Sequence, residues 1–267
     1  MSQEIKPTNV FRENLRELPA FLALLRSVEQ ALIADLEFEK PVLDLGCGDG
    51  YFGSIAFEVP PDVGMDLQTK SVVGARKRKG AYQAVVQASA ENLPFDNGCF
   101  GSVVSNSVLE HIPDYEKAMQ EIARVLRPGS LLVFTVPSKY FRGFLAGSGL
   151  LARMGLHSMS RAYQWFFDKI SRHYHYHDLA EWQAILEAVG LQIQRHRYYF
   201  SKHALQALER WHYLGLPALV SKKITGRWVI VPSYVNLWIT EKILKRHYEE
   251  QYPELGAYLF IVAKRLS

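Results

Sequence analysis

The chain has 267 residues, 48% of them hydrophobic, with a formal net charge of +4 and two cysteines. That is enough apolar surface for one large core, and the charge is too mild to demand nucleic acid or lipid. Cys47 and Cys99 build no disulfide framework, which points to a reducing compartment. The opening mixes Glu4, Lys6, Arg12 and Glu13 and does not read as a signal peptide. The longest apolar stretch, Trp228 to Ile239, is broken by Pro232, Ser233 and Asn236. It falls short of the ~20 residues that span a bilayer, so a cytoplasmic location is expected.

In chain order, Phe21, Leu25, Val28, Leu32 and Leu36 share helical spacing and predict a first helix over 21–36. Val42 to Leu45 is a short apolar run ending in a glycine-rich turn, as a buried strand does. Strands follow over 62–66, 82–86 and 102–105, with a charged helical segment between Asp66 and Lys79. Tyr115, Ala118, Met119, Ile122 and Leu126 mark one face of a helix that stops at Arg127-Pro128-Gly129. A fifth strand, 131–136, ends at Pro137. Strands alternating with helices imply right-handed crossovers and a mostly parallel sheet.

Residues 139–172 are aromatic and weakly patterned, consistent with a helical insertion. Asp178 and Glu181 form a capping-box pair for a helix with Leu179, Trp182, Leu186 and Val189 inward, ended by Gly190. A sixth strand is predicted over 191–200. Some 55 residues with two helices then precede a final strand over 257–263, next to the sixth. Leu205, Leu208, Trp211 and His212 share one helical face; Val235, Trp238, Ile239 and Ile243 share another, near Lys242, Lys245 and Arg246. These helices are read as a cap on the core, with a substrate lid or an interfacial membrane contact as the sharper alternative.

Asp44-Leu45-Gly46-Cys47-Gly48-Asp49-Gly50 carries the chemistry. Alternating glycines allow a tight turn and a close ligand approach. An acid at 44 in an apolar strand is costly without a partner, and a cationic ligand group supplies one. Asp66 ends the second strand, where a carboxylate can accept from ribose hydroxyls. A dinucleotide site is disfavoured: Gly50 comes one residue early for Gly-x-Gly-x-x-Gly, and Asp44 repels a pyrophosphate.

Residues 42–50 resemble the first motif of class I S-adenosylmethionine-dependent methyltransferases, in the small-molecule and quinone-type group. Gly64 to Leu67, Ser89 to Phe95, Ser105 to Ile112 and Arg124 to Gly129 resemble its later motifs. The resemblance covers about 40–137 and implies an α/β fold: a Rossmann-like, mostly parallel seven-stranded sheet with the last strand antiparallel. Helical insertions follow strand 5 and separate strands 6 and 7. One methyltransferase domain, 1–267, would comprise a cofactor core at about 38–137, an insertion at 139–176 and a lid or cap at 201–256.

It also implies S-adenosyl-L-methionine as cofactor. Asp44, Gly46 and Gly48 would hold the methionine end, and Asp66 with Leu67 the ribose. Ser89, Ala90 and Glu91 would adjoin the adenine, and Asn106 would lie near the cofactor. Ser89 stands where relatives commonly have an acid, and Gly101 replaces a frequent Asp. These two departures motivate the alternative of a non-catalytic cofactor-binding scaffold.

Methyl transfer needs alignment and exclusion of water, so no metal is expected and no catalytic residue is assigned. His111, Tyr140, His175 and His177 are candidates for the substrate pocket, His111 being the first candidate base. His173, His175 and His177 alternate as though on one side of a strand, but carry too little support for a metal site. Arg76 to Lys79 reads as a solvated helix face. The expected acceptor is small and lipophilic or aromatic, methylated at oxygen or carbon. No nucleic-acid partner is expected: residues 105–108, Ser-Asn-Ser-Val, are not the Asn-Pro-Pro-Tyr type that methylates base amino groups. A protein or RNA methyltransferase is the remaining alternative.

Overall fold

The computed structural model describes residues 8–226, 228–229 and 234–266. Glu4, Lys6, Pro232 and Ser233, used above, lie outside them. Strand β1 (Val42–Leu45) is buried at every position, as a strand covered on both faces is, and Asp44 is its one polar residue. It pairs in parallel with β2 (Val63–Asp66) and β4 (Phe100–Asn106), and β3 (Ala84–Gln87) joins the outer edge of β2. β5 (Leu126–Pro137) runs parallel to β4. β7 (Tyr258–Arg265) lies antiparallel between β5 and β6 (Leu191–Tyr199). The order β3-β2-β1-β4-β5-β7-β6 is the predicted seven-stranded sheet. Chain direction of travel reverses between β1 and β4, so their carboxyl ends flank the crevice where open α/β sheets bind ligands.

Period-two alternation divides the core into two layers. Along β7, Tyr258, Phe260 and Val262 enter one layer, while Leu259, Ile261 and Ala263 enter the other. The first layer holds Phe11, Leu24, Val28, Leu205 and Leu244, from helices α1 (Thr8–Glu17), α2 (Ala20–Ile33), α10 (Lys202–Leu214) and α12 (Tyr234–Tyr248). The second holds Met119, Ile122, Trp182 and Leu186, from α5 (Tyr115–Val125) and α9 (Leu179–Ala188). Short helices α3 (Tyr51–Ile55) and α4 (Thr69–Lys77) follow β1 and β2. The insertion after β5 consists of α6 (Phe141–Phe144), α7 (Ala146–Arg153) and α8 (His157–Ser171).

The capping box is present: Asp178 accepts from Glu181 N at 2.8 Å, and Glu181 accepts from Asp178 N at 2.7 Å. Several boundaries differ from the sequence reading. The first helix runs from Ala20 to Ile33, and α1 precedes it. β3 begins at Ala84 because Tyr82 turns back toward β1, where its hydroxyl finds Asp44. β5 starts at Leu126, already paired with Phe100, before the turn at Gly129. Among the described residues of 201–256 there are three helices, α10, α11 (Leu216–Thr225) and α12, with Gly215 at the first break.

Leu205 and Leu208 face the core as read, but the inward face of α12 is Leu237, Glu241, Leu244 and Tyr248. Trp238, Ile239 and Ile243 are each nearly half exposed, with Lys242 over the Trp238 ring. The buried Glu209 of α10 accepts from the backbone N–H groups of Ala146 and Gly147 at 2.5 and 3.2 Å and from the Tyr163 hydroxyl. A carboxylate at the amino end of α7 complements that helix's dipole. It ties the insertion to the cap in one layer.

Candidate functional site

The turn after β1 is shaped by two glycines for different reasons. Gly46 has φ +79, and a Cβ there would fall 2.4 Å from the Val108 side chain; Gly48 has φ +57, and a Cβ there would meet nothing within 4 Å. Gly46 thus admits the loop after β4, while Gly48 borders open space. Met65 O accepts from Gly46 N and Cys47 N at 2.7 and 2.9 Å. Asp66 accepts from Gly48 N at 3.0 Å and Gln68 N at 2.8 Å, so the predicted ribose acid also fixes the turn.

Asp44 is 2% exposed and accepts from the Tyr82 hydroxyl at 2.6 Å. Burial pushes its pKa up to about 6, with Tyr82 and Arg26 opposing the rise. Burial and the Asp44 charge in turn hold the Tyr82 phenol protonated. Tyr82 is seated against Gly53 and Gly64, where a Cβ would lie 2.1 Å from its hydroxyl and 2.9 Å from its ring. A cavity of about 190 Å³ opens here, lined by Arg26, Asp44, Gly46, Gly48, Tyr51 and Asn106. It is smaller than the ~300–1,000 Å³ usual for whole-ligand pockets, so it has room for one end of a larger ligand. An acid, a guanidinium and a turn open above Gly48 suit an α-amino acid.

Helix α2 closes this cavity. Glu29 is fully buried and accepts from Arg26 at 2.6 Å, Asn106 Nδ2 at 2.9 Å, Ser107 Oγ at 2.7 Å and the Tyr199 hydroxyl at 3.1 Å. Burial works against the Arg26 charge, but Glu29 outweighs it and raises the guanidinium pKa. Asn106 also accepts from Thr135 Oγ1 at 2.9 Å, which fixes its amide toward Glu29. Tyr51 donates to Asn14 at 2.7 Å and latches α1 onto the glycine turn.

Of the other predicted cofactor residues, Leu67 is 65% exposed at the end of β2 and Ala90 is buried. Ser89 accepts from Glu91 N at 3.2 Å and so shapes the turn. Gly101 has a packing reason: a Cβ there would be 2.6 Å from Glu39 O, so no aspartate fits. Arg78 lies over the Tyr51 ring at 5.1 Å and donates to Asp49 O at 3.3 Å, so part of the basic run supports the turn.

The four pocket candidates separate. His111 accompanies His173, ring to ring at 5.3 Å. His175 is tied to the carbonyls of Ile112 and Pro113 at 2.9 and 3.0 Å, and His177 stacks between His175 and Trp182. Tyr140 packs on Phe144 and Tyr198. None of the four lines the Asp44 cavity. The three alternating histidines do not share one side, since His173 turns to Phe141 and Tyr176 while the other two turn to Tyr115.

Sequence reasoning missed Arg26, Glu29, Tyr82 and Glu110. Arg26 and Glu29 did leave a signal: they are the sole charged residues in α2, three apart on one face. Glu110 is 2% exposed, and burial pushes its pKa up to about 8, with the Glu29 charge adding to the rise and Arg26 opposing it.

A second cavity, about 480 Å³, is lined by Leu15, Leu18, Trp211, Leu214, Trp228 and Leu237 among others. It meets the Asp44 cavity at Leu18 and Trp228, which line both. A polar crevice therefore opens beside an apolar one, and the helical cap contributes most of the lining of the apolar one.

Residues 43–134 match the family described as a methyltransferase domain. The chain is 35% identical over 128 residues to the demethylmenaquinone methyltransferase of Thermus thermophilus, covering 45% of this chain and 57% of that protein. It is 34% identical over 106 residues to the fatty-acid O-methyltransferase of Mycolicibacterium smegmatis, covering 38% of each. Among solved structures, it resembles phosphoethanolamine N-methyltransferase 2 of Haemonchus contortus in complex with S-adenosyl-L-methionine, with a TM-score of 0.53 and 17% identity over 92% of this chain and 52% of that one. This last likeness is one of fold. The chain spans about a third to just over half of the length of the curated relatives it matches.

Proposed function

We propose that this chain, whose residues 43–134 match a methyltransferase domain, is a class I S-adenosylmethionine-dependent methyltransferase that transfers the cofactor's methyl group to a small lipophilic acceptor, at oxygen or carbon. The observation that carries the proposal is Asp44, a buried carboxylate facing a cavity beside the open turn at Gly48. A buried carboxylate with a raised pKa gains most from a cationic partner, which fits the α-ammonium of S-adenosylmethionine. Arg26 fits its carboxylate, and Asp66, Ala90 and Glu91 fit the ribose and adenine. Bound cofactor supplies an activated methyl on a sulfonium centre.

The chain's own residues then bind, orient and exclude water. Asp44 and Arg26 fix one end of the donor, while Glu29 holds Arg26 and Asn106 in place. Asn14 of α1 accepts from Tyr51 beside the glycine turn and donates to Ser27 of α2, which joins both helices over the crevice. The adjoining apolar cavity suits an acceptor of low polarity, and the names of the fatty-acid and demethylmenaquinone relatives agree with that class. The exposed Trp238, Ile239 and Ile243 beside Lys242, Lys245 and Arg246 support drawing such an acceptor from a membrane surface. Among the described residues no helix is long and apolar enough to cross a membrane.

The test is transfer of an isotope-labelled methyl from S-adenosylmethionine to lipophilic phenols, quinols and fatty acids. Label should enter one of these classes in wild type and be lost in Asp44→Asn. Cofactor binding without transfer to any class would favour a non-catalytic scaffold.

A further inference from the structure

The loop after β4 and the segment after α8 bring together a group that neither the donor crevice nor the fold explains. One ligand atom each from Glu110, His111 and His173 lies within 4.8 Å of the others. His111 Nε2 is 3.8 Å from Glu110 Oε1, while Glu110 Oε2 is buried without a hydrogen-bond partner. A buried carboxylate oxygen left unpaired costs free energy unless something fills its place.

Both imidazoles are oriented from behind. His111 Nδ1 lies 3.0 Å from Arg172 O, an acceptor only, so Nδ1 carries the hydrogen and Nε2 keeps its lone pair. Tyr176 donates its hydroxyl hydrogen to Asp168 at 2.6 Å and lies 3.0 Å from His173 Nδ1, so it accepts from that nitrogen. His173 Nε2 is likewise left with its lone pair. A carbonyl behind one histidine, and a tyrosine and carboxylate behind the other, is the arrangement that orients metal-ligating imidazoles. Arg142 pairs with Asp168 at 2.7 Å, which offsets the cation nearest His173.

We propose that Glu110, His111 and His173 bind one divalent transition-metal ion of the zinc type. Two imidazoles and one carboxylate, with further positions open, are the donor set of catalytic zinc and of related N/O sites. Ligands of one such ion lie ~2 Å from it, so binding draws these side chains inward by about 1 Å. The His111 side chain is 39% exposed, which gives the ion and an acceptor heteroatom an approach. Glu110 stands four residues beyond Asn106, so the ion would adjoin the donor crevice and could bind an acceptor oxygen. That role rests on the methyl-transfer reading, whereas the site itself does not.

The experiment treats the full chain with a chelator, removes the chelator, and titrates with Co²⁺ as a spectroscopic probe without cofactor. The expected result is saturation at one equivalent with visible ligand-field bands. Glu110→Gln and His173→Asn should each weaken binding at least about tenfold, and Tyr176→Phe by a comparable or smaller factor. His157→Asn, a surface control, should not weaken it. Thermal unfolding of each apo variant checks that it folds, and the wild-type titration decides the matter even if one does not. Absence of saturable Co²⁺ binding, or equal affinity in folded Glu110→Gln and His173→Asn, overturns the site. S-adenosylhomocysteine binding, measured on the same preparation, tests the donor reading separately.

Discussion

The donor crevice and the helical cap are both needed to enclose the proposed reaction centre, yet they are built in opposite ways. The crevice is mostly local: Asp44, Gly46 and Gly48 come from one strand and its turn, and Asp66 from the neighbouring strand. The cap is assembled from residues far apart in sequence. Glu29 meets Asn106, Ser107 and Tyr199, Glu209 meets Ala146 and Gly147, and Arg12 meets Glu241 at 2.7 Å. On the proposed function, cofactor affinity would reside in the strand ends, and closure in the buried charges that join distant helices.

Glu29→Ala should have the largest effect on stability. It leaves Arg26 without its carboxylate and strips partners from Asn106, Ser107 and Tyr199, so about 3–5 kcal/mol should be lost in urea unfolding. A loss below about 1 kcal/mol would mean that the cap does not depend on this junction. Tyr82→Phe comes next, at about 1.5–3 kcal/mol at pH 8 for a hydrogen bond to an ionised carboxylate. The loss should shrink at pH 5, where Asp44 is protonated in the unliganded protein.

Asp44→Asn sharpens the comparison from the other side. Burial holds the native pKa of Asp44 above the ordinary carboxylate value of 3.8, so the native state binds the proton more tightly than the unfolded state. Its contribution to stability is therefore present below pH 4 and lost as pH rises through about 6. Asp44→Asn should accordingly leave the unliganded melting temperature at pH 7 unchanged or higher, while abolishing most of the shift that cofactor produces. In wild type, cofactor affinity should fall as pH drops below about 6, by up to about tenfold per unit. A pH-independent affinity between 5 and 7 would remove Asp44 as the partner of a cationic group. The smallest effect on stability, within about 0.5 kcal/mol, belongs to Trp238→Ser on the exposed face of α12. If that face contacts lipid, the variant should nevertheless sediment less with anionic vesicles than wild type does.

The same contrast sets what could be read without coordinates. Val42 to Gly50 announces a buried strand and an open turn through its own composition, and Asp178 with Glu181 announces a helix start, because both depend on neighbours a few residues away. Tyr82 read as part of a strand because its partner, Asp44, is 38 positions distant. On α12, Trp238, Ile239 and Ile243 formed a plausible apolar face; which side turned inward depended on α1 and α2. Gly101 looked like a lost aspartate until the backbone of Glu39 was found against it. The three alternating histidines suggested one cluster, whereas the turn at Arg172 sends His173 to His111 and Glu110 and leaves His175 and His177 on Tyr115. Local backbone chemistry was legible; the pairing of buried charges was not.

We propose above all that Asp44 makes this crevice a site for the methyl donor. Calorimetric titration with S-adenosylhomocysteine at pH 7.5, on wild type and Asp44→Asn, tests it most directly. The account predicts one micromolar site in wild type and an affinity lower by about a hundredfold, or undetectable, in the variant, a difference of about 3 kcal/mol. Equal affinity in the two proteins, or no binding by folded wild type, would contradict it.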